Sequence, residues 1–494
     1  MNPWHMKRQR RPQHKKHKSP PTRRHRQSMS REFAGSLTRR SMMLGLLSGC
    51  AIAPAGEDYA RPETDLAKSF LKKQRAGVAR KHDAKWWTSF NDSLLNKIVG
   101  YGLENNKDIQ RIAARIQQSQ GILASAGFPI GGTTRVGEVR RSGGGGDAAE
   151  TSGFVRAEAK WKLDLFGKLQ REKEAAFARL EASYADLDVW TLLYVDEVVT
   201  AYMDMRYAQE LDRILQRVLS SREETLKATK SLAEEGGATE LDVAQANALV
   251  LRTSSTVPDA RILFVRMVNR LTALVGSTEL AERDDLDVRA PQPSPKTSVV
   301  STGVPADLLR NRPDVIYAEK KLAEAVALVG VAEADLYPSL GLTGNVNVAG
   351  SNSGFDPLAA FLRIDLDIPW YDLPVRRGKV ETAKGLVAER QAAWEKEIVL
   401  AVEEVRSSLF ALQANTSAVE LSKKAVEASA EVLRLARKAY GEGQASFLQV
   451  LDAERGFLET QNQAALDIRN RSVDFVDLNV ALGGSFNGSL SGPT

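Results

Sequence analysis

Residues 154–166 read FVRAEAKWKLDLF, and from Val155 to Leu165 an apolar residue stands at every second position. This alternation is typical of a β-strand with one apolar and one polar face. Residues 340–348, LGLTGNVNV, and residues 362–370, LRIDLDIPW, repeat the pattern. These stretches therefore predict strands whose two faces meet different environments.

Two environments suit such strands. In a membrane barrel the apolar face meets lipid, the charged face meets water, and aromatic residues lie near the rims. A half-buried hairpin of a soluble protein shows the same alternation. The barrel is favoured by Gly/Ser-rich stretches at 142–146 and 350–354 and by aromatic residues at the strand ends. These aromatic residues are Trp161, Phe166, Trp370 and Tyr371. A first strand around Ile130–Arg140 is poorly patterned and is placed by symmetry alone.

That symmetry is a duplication within the chain. Residues 236–243 read GGATELDV, and 207 positions later residues 443–450 read GQASFLQV. The same offset superposes Leu271 on Leu478 and Gly276 on Gly483. A repeat of this length indicates one supersecondary unit used twice, so any function must use both copies.

Each copy also carries a long run without glycine or proline, 64 residues over 172–235 and 55 residues over 386–440. Apolar residues recur in both at helical spacing, which predicts long antiparallel coiled-coil helices. The expected fold is mixed α and β but mainly α, with two strands and long helices per repeat. A soluble coiled-coil scaffold or adaptor is the alternative. Pro258 predicts a break or bend in the returning helix of the first copy only.

Composition excludes other classes of protein. The formal net charge is +6, but residues 1–40 hold 13 Lys/Arg and one acid, so the rest of the chain is acidic and nucleic-acid binding is not expected. Four of the five histidines lie in the same leader, which leaves His82. No Cys/His cluster or phosphate-binding loop is present in the sequence, so we expect no enzyme, no metal site and no cofactor.

Residues 39–50, RRSMMLGLLSGC, combine a basic start, a short apolar run and a small-residue site before Cys50. This order is typical of a bacterial lipoprotein signal, with Cys50 as the lipidated residue. Cys50 is the only cysteine, so no disulfide can form within the chain. A buried structural cysteine behind a chance apolar run is the alternative. We expect residues 1–49 to be a basic leader and signal, and residues 50–90 to be a lipid-anchored extended segment.

Several motifs after Cys50 resemble the TolC-like outer-membrane efflux factors, in the lipoprotein (NodT-type) branch. The most specific is Leu308-Leu309-Arg310-Asn311-Arg312-Pro313-Asp314. The others are Tyr59-Ala60-Arg61-Pro62, Trp86-Trp87 with Phe90 and Asp92, Leu103-Glu104-Asn105-Asn106, Tyr337-Pro338-Ser339-Leu340 and Ala481-Leu482-Gly483-Gly484. The resemblance implies a first repeat at 91–283, a second repeat at 306–484 and a tail at 485–494. Pro291, Pro293 and Pro295 predict an extended linker at 284–305 between the repeats.

The resemblance further implies a homotrimer whose 12-stranded barrel in outer-membrane lipid continues into a periplasmic helical tunnel. Such a protein is a passive exit duct that works with a periplasmic membrane-fusion adaptor and an inner-membrane pump of the RND type. It would be lipid-anchored in the bacterial outer membrane, with most of its mass in the periplasm. A physical argument also favours a trimer. Four strands cannot close a barrel, and the unpaired backbone groups of an open strand edge in lipid cost free energy.

We expect the functional residues to lie where each helix pair turns. Glycines end the descending helices and hydroxyl residues can cap the returning ones. The predicted tip residues, which the resemblance assigns to adaptor contact, are Gly236, Gly237, Thr239, Gly441, Gly443 and Ser446. The resemblance also assigns a gate to Tyr440, Asp242 and Asp452, together with Gln449, which stands where some members have a second aspartate. Ala445 stands where some members have an arginine, so the charged part of the gate is thinner here.

Overall fold

The computed structural model describes residues 54–62, 85–141, 150–277, 284–295, 312–351, 354–355 and 358–484. All of them belong to one compact unit that begins at Ile52. Cys50 and the predicted signal, like the predicted tail at 485–494, lie outside the described residues.

The described residues are mainly helical, as the sequence predicts. After a short 3₁₀ helix, Trp86–Phe90, the helices are α1 (Ser93–Asn105), α2 (Lys107–Ser125), α3 (Lys168–Glu234), α4 (Glu240–Val275), α5 (Asp284–Asp287), α6 (Pro313–Ala334), α7 (Leu373–Gly441) and α8 (Phe447–Ala481). The strands are β1 (Ile130–Arg141), β2 (Glu150–Leu163), β3 (Ser339–Ser351), β4 (Gly354–Phe355) and β5 (Ala359–Asp367).

The two longest helices set the dimensions of the fold. α3 has 67 residues and α7 has 69, so each spans roughly 100 Å at 1.5 Å per residue. α7 begins 13 residues before the glycine-free run, because Pro374 lies in its first turn and Gly378 and Gly385 are accommodated inside the helix. The repeat is visible at the helix turns. The last residues of α3 and α7 are 207 residues apart, and so are the first residues of α4 and α8.

The strands form one antiparallel sheet in the order β1–β2–β3–β5, in which the two-residue β4 pairs with β3 on the same side as β5. Val155 of β2 lies opposite Val136 of β1 and Val348 of β3, so the apolar residues share one face. β1 and β5 are the outer strands.

This apolar face remains open to the surroundings. Val136 is 77% exposed, and Leu362 and Ile364 of β5 are each 72% exposed. The strands do not fold onto a dry interior within the chain, as a soluble hairpin would. The opposite face is polar, where Lys160 pairs with Glu158 at 2.9 Å and Thr343 donates to Asp365 at 2.6 Å.

The main apolar core lies where α1 crosses the middle of α3. The aromatic motif of Trp86, Trp87 and Phe90 is buried there against α3 and α8. The hydroxyl of Tyr202, fully buried, donates to Asp92 Oδ2 at 2.6 Å and accepts from Arg206. Asp92 also caps α1, so this network fixes the start of α1 on α3.

The predicted linker packs closely where it is described. Gln209 donates to the Leu286 carbonyl at 2.9 Å, and Ser472 donates to the Pro293 carbonyl at 2.8 Å. These bonds hold the segment across α3 and α8, the first long helix of one repeat and the last of the other.

The predicted break at Pro258 is wrong, because α4 runs as one helix from Glu240 to Val275 with Pro258 inside it; a bend there stays a prediction. Hydroxyl groups in the preceding turn bond to backbone carbonyls: Thr253 to Leu249 at 2.8 Å and Thr256 to Thr253 at 2.8 Å. They supply polar contacts in the turn where the proline ring removes a backbone donor.

Residues 54–62 lie against the start of α3 and the end of α6, beside the sheet. The Ala55 amide donates to the Phe166 carbonyl at 2.9 Å, and Arg171 donates to the Ala55 and Gly56 carbonyls. A Cβ at Gly330 of α6 would come within 2.9 Å of the Ala55 carbonyl oxygen, so only glycine lets the segment approach this closely.

Arg312 of the Arg-Pro-Asp motif holds the start of α6 against α7 and α8. Pro313 occupies the first turn of α6. The buried Arg312 guanidinium donates to the carbonyl of Ala481 at the end of α8 at 2.6 Å, to Asp314 and, at 2.7 Å, to Glu404 of α7. Burial alone would lower the pKa of Arg312, but Asp314 and Glu404 outweigh it and keep the pKa raised. One side chain thus joins three helices.

Among the helices of the described ranges, none is both long and apolar enough to cross a membrane.

We predict that Arg312→Met lowers the thermal unfolding midpoint of the detergent-solubilised protein. Removing one partner of a buried ion pair costs about 3–5 kcal/mol, and the partial exposure of Asp314 and Glu404 places this case near the lower end. Circular dichroism of the helical signal measures the midpoint. Arg434→Met, which removes an exposed pair with Glu431 on α7, is the control and should leave the midpoint unchanged. Equal midpoints for the two variants would contradict the role of Arg312.

Candidate gate at the helix tips

Both helix pairs turn through a glycine in the left-handed region. Gly236 has φ +78° and Gly443 has φ +70°, which other residues rarely adopt. The Gly237 amide donates to Leu232 O at 2.7 Å and the Gln444 amide donates to Ala439 O at 2.8 Å, so the two turns satisfy equivalent helix-end carbonyls. Gly441 is the last residue of α7.

The caps of the returning helices differ. Thr239 and Asp242 form a reciprocal capping box at the start of α4, with the Thr239 amide donating to Asp242 at 2.9 Å. Ser446 lies at the matching position before α8, but its side chain makes no capping bond there. The first tip is therefore the better fixed of the two.

An apolar cluster behind the tips joins both helix pairs. Ala246 of α4 packs with Phe447 and Val450 of α8, and the Tyr440 ring lies 5.3 Å from the Phe447 ring. The Tyr440 hydroxyl is buried near Thr229, and no hydrogen bond of normal geometry joins it to any of the described residues. Burial raises the pKa of Tyr440, and the charge of Asp242 raises it further. Asp242 is thus close enough to influence Tyr440, while its carboxylate is used in the capping box.

Asp452 and Gln449 lie on an open face of α8. The Asp452 carboxylate is 74% exposed and pairs with Arg455 on the same helix at 2.8 Å. Gln449 is also exposed. Within one chain these side chains touch neither Tyr440 nor Asp242 through any hydrogen bond of the described residues. The four predicted gate residues therefore divide into a packed pair and an open pair.

The most buried charge near the tips is Glu454, which sequence reasoning missed. It is 4% exposed, accepts from Arg437 of α7 at 2.7 Å and from Thr225 of α3 at 3.0 Å, and lies 3.6 Å from Arg222 Nε. Burial lowers the pKa of Arg222, and the Glu454 charge opposes this. Glu454 thus ties the first helix pair to the second.

The sequence holds a signal for this residue. Along α8, core positions follow steps of three and four residues through Phe447, Val450, Phe457 and Ala465, and Glu454 falls on the same stripe. A charged residue on an apolar stripe indicates a buried ion pair, because an unpaired charge would be too costly there.

Comparison with known proteins places these features in a family. A family model described as outer membrane efflux protein matches residues 102–277 and 304–484. Nodulation protein T of Rhizobium leguminosarum bv. viciae is 33% identical over 451 residues, which cover 89% of this chain and 92% of that protein. The toluene efflux pump outer membrane protein TtgF of Pseudomonas putida is 29% identical over 475 residues, covering 90% and 96% respectively.

A solved structure of the outer-membrane channel OprN superposes with a TM-score of 0.78 at 28% identity, over 88% of this chain and 99% of that one. Its mainly helical architecture matches the one described above. These findings support the efflux interpretation and not the coiled-coil scaffold or adaptor. The chain belongs to the outer membrane efflux protein family.

Proposed function

We propose that three copies of this chain form a passive exit duct that carries small molecules from the periplasm to the exterior. Each copy would give four strands to a 12-stranded barrel and its long helices to a periplasmic tunnel. A periplasmic membrane-fusion adaptor and an inner-membrane pump, of the RND type, would supply substrate and energy.

The observation that carries this proposal is the open sheet. Its apolar face is exposed in the single chain, and β1 and β5 each end the sheet with one edge that the described residues leave unpaired. Lipid provides cover for such a face, but backbone groups at an open edge in lipid cost several kcal/mol each. Joining the β5 edge of one copy to the β1 edge of the next removes both edges.

Neighbouring threonines on β1 allow a matched test of this arrangement. Thr134 pairs with Ala157 on the apolar face, whereas Thr133 pairs with Glu158 on the polar face, and both are exposed. A Lys on the lipid face of a barrel costs about 2–4 kcal/mol near the bilayer midplane. We therefore expect Thr134→Lys, but not Thr133→Lys, to abolish outer-membrane insertion.

The functional readout is drug resistance in a Gram-negative strain that lacks its own exit channel but expresses an adaptor and an RND pump. Wild-type protein and Thr133→Lys should restore resistance, and Thr134→Lys should not. Failure of the wild type with every pump tried would contradict the exit duct. Equal behaviour of the two lysine variants would contradict the assignment of the faces.

We further propose that Cys50 carries the lipid. Support comes from residues 54–62, because the bond from Ala55 to Phe166 and the bonds from Arg171 hold the chain that follows Cys50 beside the strand ends. A lipid attached there adds about 0.8 kcal/mol of membrane affinity for each buried CH₂ group.

Mass spectrometry of the mature amino terminus tests the lipid. We expect a chain that begins at Cys50 and carries the added mass of a diacylglycerol and a fatty acid, with Cys50→Ser as the control without it. A mature wild-type protein with an unmodified Cys50 would contradict the anchor.

The tips would meet the adaptor through the two glycine turns, and the gate would lie just behind them. In a trimer, three copies of Asp452 would stand at one level of the tunnel. Like charges at close quarters bind cations and repel one another, which favours a cation-sensitive constriction. The exposure of Asp452 and Gln449 in the single chain supports this position, while Tyr440 and Asp242 would hold the packed side of the gate.

We predict that Asp452→Ala weakens block by divalent cations and raises single-channel conductance in planar bilayers, because three carboxylates leave the constriction. Glu459→Ala is the matched control, since Glu459 is 72% exposed on the same helix, two turns further from the tip. Unchanged block in Asp452→Ala, or an equal change in Glu459→Ala, would remove Asp452 from the gate.

A further inference from the structure

The polar face of the sheet, which lines the interior of the proposed barrel, carries more basic than acidic residues. Among its described side chains five are basic and three are acidic. They are Arg135, Arg156, Lys160, Lys162 and Arg363, against Glu158, Asp365 and Asp367. The excess is two positive charges for each chain, and the trimer triples it.

Each of the three acids has a basic partner. The pairs are Glu158–Lys160 at 2.9 Å, Asp365–Arg363 at 2.6 Å and Asp367–Arg376 at 3.4 Å. Lys162 lines a cavity at the helix end of the sheet together with Asp365 and Asp367. Charge is therefore nearly balanced in the part of the face that adjoins the helices, and the excess lies at the two remaining arginines.

Arg135 and Arg156 are direct cross-strand partners on β1 and β2. The Cβ atoms of such partners lie about 4.5–5.5 Å apart, and like charges in this position destabilise the sheet. Both side chains are exposed, and neither has an ion pair or a hydrogen bond with another of the described residues. The same row continues with Asn347 and Ala359, which are uncharged. An anion bound between the two guanidinium groups would relieve their repulsion.

An aromatic ring lies beside this arginine pair. Phe154 is the neighbour of Arg156 on the polar face of β2, and it pairs across the strands with Gly137, the neighbour of Arg135. A Cβ at Gly137 would lie 2.8 Å from the Phe154 ring, so the ring covers the β1 backbone at this point. The ring is only partly buried and provides an apolar contact surface next to both cations.

The group of three side chains lies halfway along the strands. Arg135 is the sixth of the 12 residues of β1, and Arg156 is the seventh of the 14 residues of β2. In the proposed trimer, threefold symmetry places three copies of the group at one height in the barrel. Every molecule that leaves through the barrel would pass this height.

We propose that Arg135, Arg156 and Phe154 form a binding site for organic anions inside the barrel. The inference rests on the proposed exit duct and names a class of cargo for it. The two guanidinium groups would bind a sulfate, sulfonate, phosphate or carboxylate group, for which their planar donors are suited. The apolar part of the same molecule would lie on the Phe154 ring.

An open, water-filled site of this kind binds weakly, as conduction requires. A molecule must be attracted strongly enough to enter and weakly enough to leave. The proposed ring of Asp452 at the helix tips attracts ions of the opposite sign, and it would also influence the ion selectivity of the whole channel. Direct binding therefore reports on the arginine site more specifically than channel selectivity does.

Calorimetric titration of the full-length trimer in lipid nanodiscs with naphthalene-2-sulfonate tests the site. Wild-type protein should bind three molecules for each trimer. Replacing both arginines, Arg135→Gln with Arg156→Gln, should raise the Kd about tenfold or more, because the charge-assisted hydrogen bonds to the sulfonate are lost. Lys162→Gln is the matched control and should bind as the wild type does. It removes an exposed basic residue from the same face of β2, six residues and about 20 Å away.

Two further ligands separate the roles of charge and ring. 1-Naphthylmethylammonium, which has the same ring and a positive charge, should not bind. Inorganic sulfate should bind more weakly than the aromatic sulfonate, and Phe154→Ala should remove this difference without weakening sulfate itself.

Thermal unfolding distinguishes a binding role of the arginines from a structural one. The double glutamine variant should keep or raise the unfolding midpoint of the trimer, because it removes a repulsion between neighbouring strands. A lower midpoint in this variant would contradict the site.

Equal affinity of wild type and the double glutamine variant, or an equal loss in Lys162→Gln, would overturn the arginine site. Binding of the naphthylammonium ion as tight as that of the sulfonate would overturn the preference for anions. Both results leave the exit duct intact where the wild type forms a trimer and restores drug resistance. A wild-type protein that does neither would contradict the duct and the site together.

Discussion

The structure depends on apolar surface that a single chain cannot cover. In the sheet, Val136, Leu362 and Ile364 are more than two-thirds exposed, and in the helices Phe410 and Leu241 are nearly as open. Monomeric soluble proteins rarely expose contiguous apolar surface of this extent. Lipid can cover the face of a sheet, but only another polypeptide can pair the strand edges. The buried core around Tyr202 folds the chain, and the proposed assembly in the membrane would cover the surface that remains open.

Much of this fold follows from periodicity in the sequence. The alternation from Val155 to Leu165 predicts β2, and the internal repeat correctly places the poorly patterned β1 beside it. Positive φ at Gly236 and Gly443 confirms the predicted helix ends. Other features depend on tertiary packing, which overrides local propensity. α7 therefore continues through Gly378 and Gly385, and α4 continues through Pro258.

At the candidate gate, sequence spacing does not predict which of two neighbouring residues is buried. Spacing predicts which residues lie near a turn, but a shift of two positions along α8 separates the exposed Asp452 from the buried Glu454. The difference depends on which face α3 and α7 cover, and that follows from the packing of four helices. The pattern of α8 itself holds the clue, since Glu454 interrupts an apolar stripe and Asp452 does not.

The two copies of the repeat have diverged in a physically consistent way. Contacts between α3 and α8 form within one polypeptide, where Glu454 and its arginines can reach the close geometry that compensates the desolvation of buried charge. At the positions 207 residues away, Ser429 and Asn247 stand in place of Arg222 and Glu454, and Ala411 and Ile262 stand in place of Asp204 and Arg469. The ion pairs that join the two helix pairs within the chain therefore have no charged counterpart at the equivalent positions of the repeat.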